Sequence, residues 1–298
     1  MPSRNSSAIA FIGFGEAARA FTASLKPQGI GPVKAYDILI GIPGDRHDRL
    51  VEAAGALEVT LTETPEAAIA GATLIFSAVT AAESLEAVRP LVGQLQPGQV
   101  VIDINSVSAQ RKRDTAAMIR ATGAGYVDMA VMAPVHPKGH RTATLLAGDV
   151  AAVEMLLRGL DFQFEVVGAE PGMATAVKMV RSLFVKGLEA ITVQALTAAH
   201  ASGCYDRVAA SIAASFPGLG WPEFGAYEFE RIATHGIRRA AEMREVAVSM
   251  AELGFAEGAA LASAIAGLHQ RVGDEGPAPG LDAGQHAARL SGLIGTSK

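Results

Sequence analysis

Residues 1–168 alternate short runs of apolar and β-branched residues with amphipathic stretches, and this alternation restricts the possible folds more than any other feature. Strands joined through helices form βαβ units, which build a parallel sheet with helices on both faces. The predicted strands are Ala8–Ile12, Pro32–Tyr36, Thr73–Val79, Gln99–Ile104, Tyr126–Val131, Thr142–Leu146 and Phe162–Val167. The predicted helices are Glu16–Lys26, Asp45–Ala54, Ala82–Val92, Ser108–Ala121 and Asp149–Leu160. We therefore expect an α/β fold with a doubly wound sheet.

Beyond Gly168 only helical periodicity remains, with proline- and glycine-rich breaks between the segments. The predicted helices are Gly172–Ala201, Arg207–Ser215, Glu223–Gly254 with a break near His235, Ala256–Val272 and Leu281–Leu293. The sequence thus predicts two domains, 1–168 and 169–298. A long linker helix connects the α/β domain to an all-α C-terminal domain.

Composition excludes several classes of protein. Half of the 298 residues are hydrophobic and only 18% are charged, which indicates a globular rather than a disordered chain. The net charge of −5 gives no reason to expect binding to nucleic acid. No uncharged run is a convincing membrane span, Met1–Ser7 contains no signal-peptide core, and the single cysteine, Cys204, fits a reducing cytoplasm. His136 and His140 lie in a Pro/Gly loop without a third ligand, so no metal site is expected.

The segment Ile9–Ala20 combines a buried strand, a glycine turn and a helix start. In such a turn Gly13 permits the tight bend, Gly15 lets the backbone approach a pyrophosphate, and Ala18 permits close contact of helix and strand. The free N–H groups at the helix N-terminus would hold the pyrophosphate. This pattern predicts a Rossmann-type dinucleotide site. Its candidate cofactor residues are Gly13, Phe14, Gly15, Glu16, Ala17 and Ala18.

The acidic residue expected after such a turn is Asp37, which follows Tyr36 at the end of the second predicted strand. Its carboxylate can accept hydrogen bonds from an adenosine ribose and would repel a 2′-phosphate, so it favours NAD over NADP. A plain turn-capping role for Asp37 is the alternative. Arg46 and Arg49 would suit a phosphate instead, so both cofactors stay open. Further candidate cofactor residues are Tyr36, Val79, Thr80 and Asn105.

Lys178 lies in the long and mostly apolar helical segment Gly172–Ala201. Lys178, Ser182 and Lys186 recur at i, i+4 and i+8, so they project from nearly one face. Ammonium groups on such a helix are costly to bury unless they line a cleft or find partners. The pattern fits either a solvated stripe or an active-site lysine. Desolvation and a neighbouring like charge would both lower the pKa of such a lysine.

Together these segments resemble the β-hydroxyacid dehydrogenase family, which includes 3-hydroxyisobutyrate and 6-phosphogluconate dehydrogenases. The segment Gly172–Ser182 is similar to the family motif G-x-G-x-x-x-K-x-x-x-N. Lys178 matches the lysine of the motif, Ala174 replaces the second glycine, and Ser182 replaces the asparagine. The family's substrate segment D-A-P-V-S-G-G corresponds to Asp128–Pro134, so its serine and glycines are Met132, Ala133 and Pro134 here. The resemblance implies an NAD(P)-dependent enzyme with a catalytic lysine, and the replacements put the usual substrates in doubt.

The turn Asp103–Ser106 corresponds to the family's D-x-S-T beside the nicotinamide, which implies roles for Asn105 and Ser106. The C-terminal third resembles a subgroup with an all-α domain of unassigned function, marked by His235–Met243. The analogy also implies a homodimer formed through the helical domain.

The sequence therefore predicts hydride transfer between nicotinamide and a small 3-hydroxyacid, with Lys178 as general acid/base and Ser182 assisting. Candidate substrate-binding residues are Ser106, Met132, Ala133, Lys186, Arg238 and Arg239. For the arginines the alternative is a solvated helix surface with Arg238 and Glu242 at i, i+4. Two other functions stay open: an imine or ketone reductase, and a catalytically silent NAD(P)H-binding sensor.

Overall fold

The computed structural model of the chain describes residues 8–294, so the predicted lack of a signal-peptide core in Met1–Ser7 lies outside the described residues. The chain divides into two compact units, Met1–Lys178 (the α/β unit) and Met179–Lys298 (the helical unit). The predicted domain boundary at 168/169 stays a prediction. The last strand in the described part of the chain does end at Gly168.

The α/β unit contains an eight-stranded sheet. Its strands are β1 Ile9–Ile12, β2 Val33–Tyr36, β3 Thr60–Leu61, β4 Leu74–Ser77, β5 Val100–Asp103, β6 Gly125–Val131, β7 Thr144–Gly148 and β8 Phe164–Gly168. Its helices are α1 Glu16–Leu25, α2 Asp45–Ala56, α3 Pro65–Ile69, α4 Ala109–Arg120 and α5 Glu154–Gly159. The strand order β3-β2-β1-β4-β5-β6-β7-β8 confirms the doubly wound, Rossmann-type prediction.

The central strands are buried on both faces because helices cover both sides of the sheet. Alternate residues of β1 enter opposite cores: Phe11 packs in one cluster with Phe76, and Ile12 packs in the other with Ile75. The register Phe11↔Phe76 and Phe76↔Ile102 keeps β1, β4 and β5 aligned. Their carboxyl ends therefore lie along one edge of the sheet, where ligands bind in folds of this kind.

Three local features of the α/β unit differ from the sequence-based expectations. Residues 82–92 form turns and a 3₁₀ turn instead of a regular helix, because Pro90 lacks an N–H and disfavours helical geometry at Arg89. The short elements β3 and α3 were not predicted. Strand β7 runs antiparallel to β6, because residues 132–143 contain only a 3₁₀ turn rather than a crossover helix.

The helical unit confirms the all-α prediction for its described residues. Its helices are the larger part of α6 Met173–Ala201, then α7 Tyr205–Ser215, α8 Glu223–Glu252, α9 Ala256–Asp274 and α10 Ala283–Ile294. Apolar side chains from α6, α8 and α9, among them Val193, Phe229, Met243 and Ile265, form its core. No helix within residues 8–294 is long and apolar enough to span a membrane.

The predicted break in α8 near His235 is wrong, because the helix continues through Gly236. A Cβ at Gly236 would lie 2.3 Å from the carbonyl oxygen of His269 and 2.8 Å from the Cα of Gly273. Gly236 therefore allows the backbones of α8 and α9 to touch, and its glycine serves close packing rather than a helix end.

We expect Gly236→Ala to destabilise the helical unit by about 1–3 kcal/mol, because the added methyl group meets backbone that cannot move aside cheaply. The matched control is Gly267→Ala on α9, where the nearest atom to an added Cβ is 3.8 Å away in a flexible arginine side chain. That change should stabilise the helix by up to about 1 kcal/mol. Urea unfolding followed by the fluorescence of Trp221, the chain's single tryptophan, measures both. Equal effects of the two changes would contradict the close packing at Gly236.

Candidate active site

The glycine turn after β1 has the geometry expected of a phosphate loop. Gly13 has φ +86°, and a Cβ there would lie 2.5 Å from the carbonyl oxygen of Ala78, so only glycine fits. A Cβ on Gly15 would meet no described atom within 4 Å, so the approach to the start of α1 is open. The first N–H groups of a helix lack intrahelical partners, and they point to where a phosphate would bind.

Asp37 connects the end of β2 to the glycine turn. Its Oδ2 accepts a hydrogen bond from the Phe14 N–H at 2.9 Å, and its Oδ1 accepts one from the Leu39 N–H at 3.0 Å. Asp37 thus caps a short 3₁₀ turn, which was its alternative role, and also contacts the phosphate loop. Its binding to an adenosine ribose stays a prediction. Since each carboxylate oxygen has two lone pairs, a ribose hydroxyl can still donate to it.

The Phe14 side chain itself is buried, so only its backbone is available to a cofactor. Its carbonyl oxygen accepts a hydrogen bond from Arg19 Nε at 2.8 Å, which places a guanidinium beside the loop. Sequence reasoning missed Arg19, although a basic residue one turn into the helix after a glycine turn was a usable signal. Arg46 and Arg49 are exposed on α2.

A buried asparagine joins the ends of β4 and β5. Asn105 Oδ1 accepts a hydrogen bond from the Val79 N–H at 2.8 Å, and its Nδ2 donates to Ser77 Oγ at 2.9 Å. Thr80, the next residue along, is exposed. Asn105 therefore fixes the Val79–Thr80 loop at the edge of the sheet where the glycine turn also lies.

Lys178 contacts the turn after β5. Its Nζ donates a hydrogen bond to Ser106 Oγ at 2.6 Å, and both residues are half-buried. The contact joins two residues that sequence reasoning singled out separately, 72 positions apart. It lies directly after Asn105, beside the loop at the ends of β4 and β5.

The segment after β6 begins with Met132, which is partly buried against Ala174 in the first turn of α6. Its N–H donates to the Ala143 carbonyl oxygen at 3.0 Å, while Ala133 is exposed. Met132 is thus beside the helix that carries Lys178 and offers an apolar surface where the resembled family has serine.

In the helical unit, Lys186 and Arg239 are buried and each has an acidic partner. Lys186 Nζ lies 2.9 Å from Glu242 Oε2 and 3.3 Å from Ser182 Oγ. Burial lowers the pKa of Lys186, and the charge of Glu242 opposes this. Arg239 donates to Glu189.

Arg238, next to it in the chain, is half-exposed and donates to Glu242 Oε1 at 2.6 Å. The structure thus brings Lys186 and Arg238 to one carboxylate, Glu242, and directs Arg239 to another, Glu189. Ser182 contacts Lys186.

Sequence reasoning missed this buried ionic cluster. Glu189, Glu228 and His269 are all at least 95% buried among the apolar residues of the helical core. Burial, reinforced by the charge of Glu189, raises the pKa of Glu228 to about 7. Within the described residues, no three His, Cys, Asp or Glu side chains are placed to hold a metal ion.

The strand order, the glycine turn with an open helix N-terminus and the acidic residue after β2 define a dinucleotide-binding protein of the Rossmann class. The chain belongs to the 6-phosphogluconate dehydrogenase-like family, because residues 8–162 match the family described as the NAD binding domain of 6-phosphogluconate dehydrogenase. Residues 199–272 match a domain of unknown function, DUF1932. The predicted family and the subgroup with an unassigned helical domain are both confirmed.

Two conserved proteins are among the solved structures that resemble nearly the whole chain. A conserved hypothetical protein from Sinorhizobium meliloti 1021 is 31% identical, with a TM-score of 0.76 and 97% of each chain covered. The conserved protein MTH1747, of unknown function and described as structurally similar to 3-hydroxyacid dehydrogenases, is 28% identical. Its TM-score is 0.70, and the match covers 90% of this chain and 97% of that one.

More distant structures share the fold alone. The 3-hydroxyisobutyrate dehydrogenase of Mycobacterium tuberculosis, solved with L-serine, is 17% identical with a TM-score of 0.73, over 95% of this chain and 99% of that one. Imine reductases, including one from Streptomyces aurantiacus at 19% identity and a TM-score of 0.56, also share it over 95% of this chain and 99% of that chain.

Proposed function

We propose that the protein is an NAD(P)-dependent oxidoreductase that interconverts a small 3-hydroxyacid and its carbonyl partner, with Lys178 as general acid/base. The observation that carries this proposal is the 2.6 Å contact between Lys178 Nζ and Ser106 Oγ, directly after Asn105 at the end of β5. A half-buried lysine beside the cofactor edge of a dinucleotide-binding sheet supports a role in proton transfer.

Lys178, Ser106 and Ser182 have separate roles in the proposed reaction. When bound, the nicotinamide cofactor accepts or supplies the hydride. Lys178 takes the proton of the substrate hydroxyl during oxidation and returns it during reduction. Ser106 accepts a hydrogen bond from the ammonium group and would hold it in place. Ser182, whose hydroxyl accepts a bond from Lys186 in the structure, is proposed to assist as a hydrogen-bonding group.

The substrate's other contacts are proposed from the predicted residues. Met132 and Ala133 would pack against its carbon chain, since both offer apolar surface after β6. A substrate carboxylate would be held by Lys186, Arg238 or Arg239. Among the three, Arg238 has the most exposed side chain, and arginine binds carboxylates in a bidentate manner.

The cofactor is proposed to be NAD rather than NADP, because Asp37 presents a carboxylate beside the glycine turn. We expect Asp37→Ala to weaken NAD(H) binding by roughly tenfold, about 1.4 kcal/mol, and to weaken NADP(H) binding less. Fluorescence titration with both reduced cofactors measures this, with the exposed α2 residue Glu52→Ala as a control expected to change neither constant. A wild-type preference for NADP(H) would contradict the role of Asp37 and would indicate that Arg19, Arg46 or Arg49 binds the 2′-phosphate.

The test of the proposed function is a rate assay. Purified protein is offered 3-hydroxyacids and their carbonyl partners with each nicotinamide, and reduced cofactor is followed by its absorbance. Turnover with at least one 3-hydroxyacid pair supports the proposal. Tight cofactor binding without turnover across the panel would favour the catalytically silent NAD(P)H-binding sensor.

A second candidate is an imine or ketone reductase. The observation that favours it is the apolar segment Met132–Pro134, which suits a less charged substrate than the serine and glycines of the resembled family. Reduction of cyclic imines or neutral ketones, at rates above those for every hydroxyacid pair, would select this alternative.

A homodimer through the helical unit is part of the proposal. It is supported by large apolar side chains that α6 exposes in that unit, with Phe184 at 73% and Ile191 at 63% exposure. Isolated exposed apolar residues are ordinary, but several on one helix are typical of an interface.

A further inference from the structure

A buried lysine connects the carboxyl end of β5 to the middle of β6. Lys112 on α4 has no solvent exposure, and its Nζ lies 2.9 Å from Asp103 Oδ1 and 3.3 Å from Asp128 Oδ1. It also donates to the Asp103 carbonyl oxygen at 2.7 Å. Burying these three charges is costly unless they compensate one another. We call Asp103, Lys112 and Asp128 the buried triad.

The second carboxylate oxygen of Asp128 holds the start of α6. Asp128 Oδ2 accepts hydrogen bonds from the N–H groups of Gly172 at 3.1 Å and Thr175 at 3.0 Å. These N–H groups have no partner inside the helix, and a negative charge at a helix N-terminus is favourable. Asp128 thus performs the role of a capping residue from a neighbouring strand. Lys178 follows Thr175 by three positions, less than one turn of the same helix.

Asp103 fixes the turn that carries Ser106, the hydrogen-bond partner of Lys178. Its Oδ1 accepts from the Asn105 N–H at 2.9 Å, directly before Ser106, and its Oδ2 accepts from the Tyr126 hydroxyl at 2.8 Å. Burial, with the charges of Asp103 and Asp128, raises the pKa of Tyr126, so this hydroxyl stays a donor. The turn that carries Ser106 is therefore fixed to the triad through one carboxylate.

The helix start has little freedom to shift. Gly172 has φ +94°, and a Cβ there would lie 2.7 Å from the carbonyl oxygen of Ala109, the first residue of the helix that carries Lys112. The beginning of α6 is thus packed against α4 as well as bonded to Asp128.

We infer that the buried triad sets the distance between Lys178 and Ser106, so that Lys112 and Asp128 are positioning residues for proton transfer. The inference rests on the proposed function for its catalytic meaning, although the geometry is independent of it. Misplacement of a catalytic group by about 1 Å can cost about 10²-fold in rate. A rigid connection between the end of β5 and the β6 residue that caps α6 would prevent such a displacement.

The test variant is Asp128→Asn, which keeps the side-chain volume and removes the charge. If its amide oxygen accepts from Gly172 and Thr175, its NH₂ group faces the Lys112 ammonium, so two donors oppose each other. We expect NADH affinity within about twofold of wild type, because the glycine turn is untouched. We expect kcat to fall by about 10–100-fold through the displaced Lys178.

A second readout does not depend on turnover. Lysines are reductively methylated with ¹³C, and the Lys178 signal is assigned by its loss in Lys178→Arg. In Asp128→Asn the chemical shift and the titration midpoint of this signal should both change. The matched control is Asp149→Asn. The Asp149 carboxylate accepts a hydrogen bond from the Tyr126 N–H of β6, the strand that carries Asp128, and it pairs with Arg120. This variant should change neither the rate nor the Lys178 signal.

The outcomes distinguish the positioning role of the buried triad from the proposed acid/base role of Lys178. An unchanged Lys178 signal in folded Asp128→Asn overturns the inference, whatever the rate. A changed signal together with a fully active Lys178→Arg variant supports the positioning role and refutes the proposed chemistry. If Asp128→Asn does not fold, the charge-balanced Lys112→Met/Asp128→Asn variant replaces it, since it leaves Asp103 bonded to Tyr126 and Asn105. An unchanged Lys178 signal there would equally overturn the inference.

Discussion

Lys178→Ala should reduce turnover of the preferred hydroxyacid by about 10²–10⁴-fold, the usual contribution of a positioned acid/base group. The half-buried Lys178 side chain donates to Ser106 Oγ and is not part of any of the three apolar clusters described in the α/β unit. Its removal should therefore leave the free energy of unfolding and the dissociation constant for NADH near their wild-type values. Steady-state kinetics, urea unfolding and cofactor fluorescence measure the three quantities on the same preparation.

Two further variants separate proton transfer from charge. Lys178→Arg retains the positive charge but cannot release a proton at ordinary pH, so it should be nearly as slow as the alanine variant. Lys138→Ala, which removes an exposed loop lysine, is the matched control and should turn over at the wild-type rate. A fully active Lys178→Arg enzyme would exclude Lys178 from the chemistry and favour the alternative, a solvated stripe of polar residues on this helix.

Local sequence signals were sufficient for most of the fold. The β-branched runs, the glycine turn and the helix predicted over Ser108–Ala121 agree with the structure, because strand burial, positive φ at Gly13 and capping of α4 by Ser108 depend on near neighbours. The direction of β7 was not predictable in the same way, because it depends on how residues 132–143 pack. The prediction of a helix break at Gly236 was wrong because glycine is needed there for close contact with another helix, at the His269 carbonyl oxygen.

In the candidate site, too, contacts between residues far apart in the chain could not be predicted from local sequence signals. The sequence indicated Lys178 and Ser106 separately, and their contact across 72 positions follows only from the fold. Lys112 lies in a polar stretch of α4 and gives no sequence signal of burial, because its partners Asp103 and Asp128 are on two different strands. Charged residues that pair over long distances in the chain are the part of a site that spacing alone does not indicate.

Arg239→Met should destabilise the helical unit by about 3–5 kcal/mol, because it leaves Glu189 buried without its main partner. Arg239 and Glu189 are 4% and 2% exposed, so solvent cannot replace the lost interaction. The adjacent Arg238→Met is the matched control. Its side chain is 52% exposed in the pair with Glu242, and exposed pairs of this kind contribute about 1 kcal/mol or less. Urea unfolding followed by Trp221 fluorescence reports on both variants.

The double variant Glu189→Met/Arg239→Met completes the comparison. Replacing both charges by apolar groups of similar volume is often neutral or stabilising, so most of the lost stability should return. Arg231, whose Nε lies 3.4 Å from Glu189 Oε1, is 27% exposed and can turn to solvent in this variant. A stable Arg239→Met protein with a raised KM for substrate would instead identify Arg239 as a substrate-binding residue. A destabilised Arg239→Met protein, restored by the second change, would assign Arg239 to the helical core and leave the substrate carboxylate to Arg238 or Lys186.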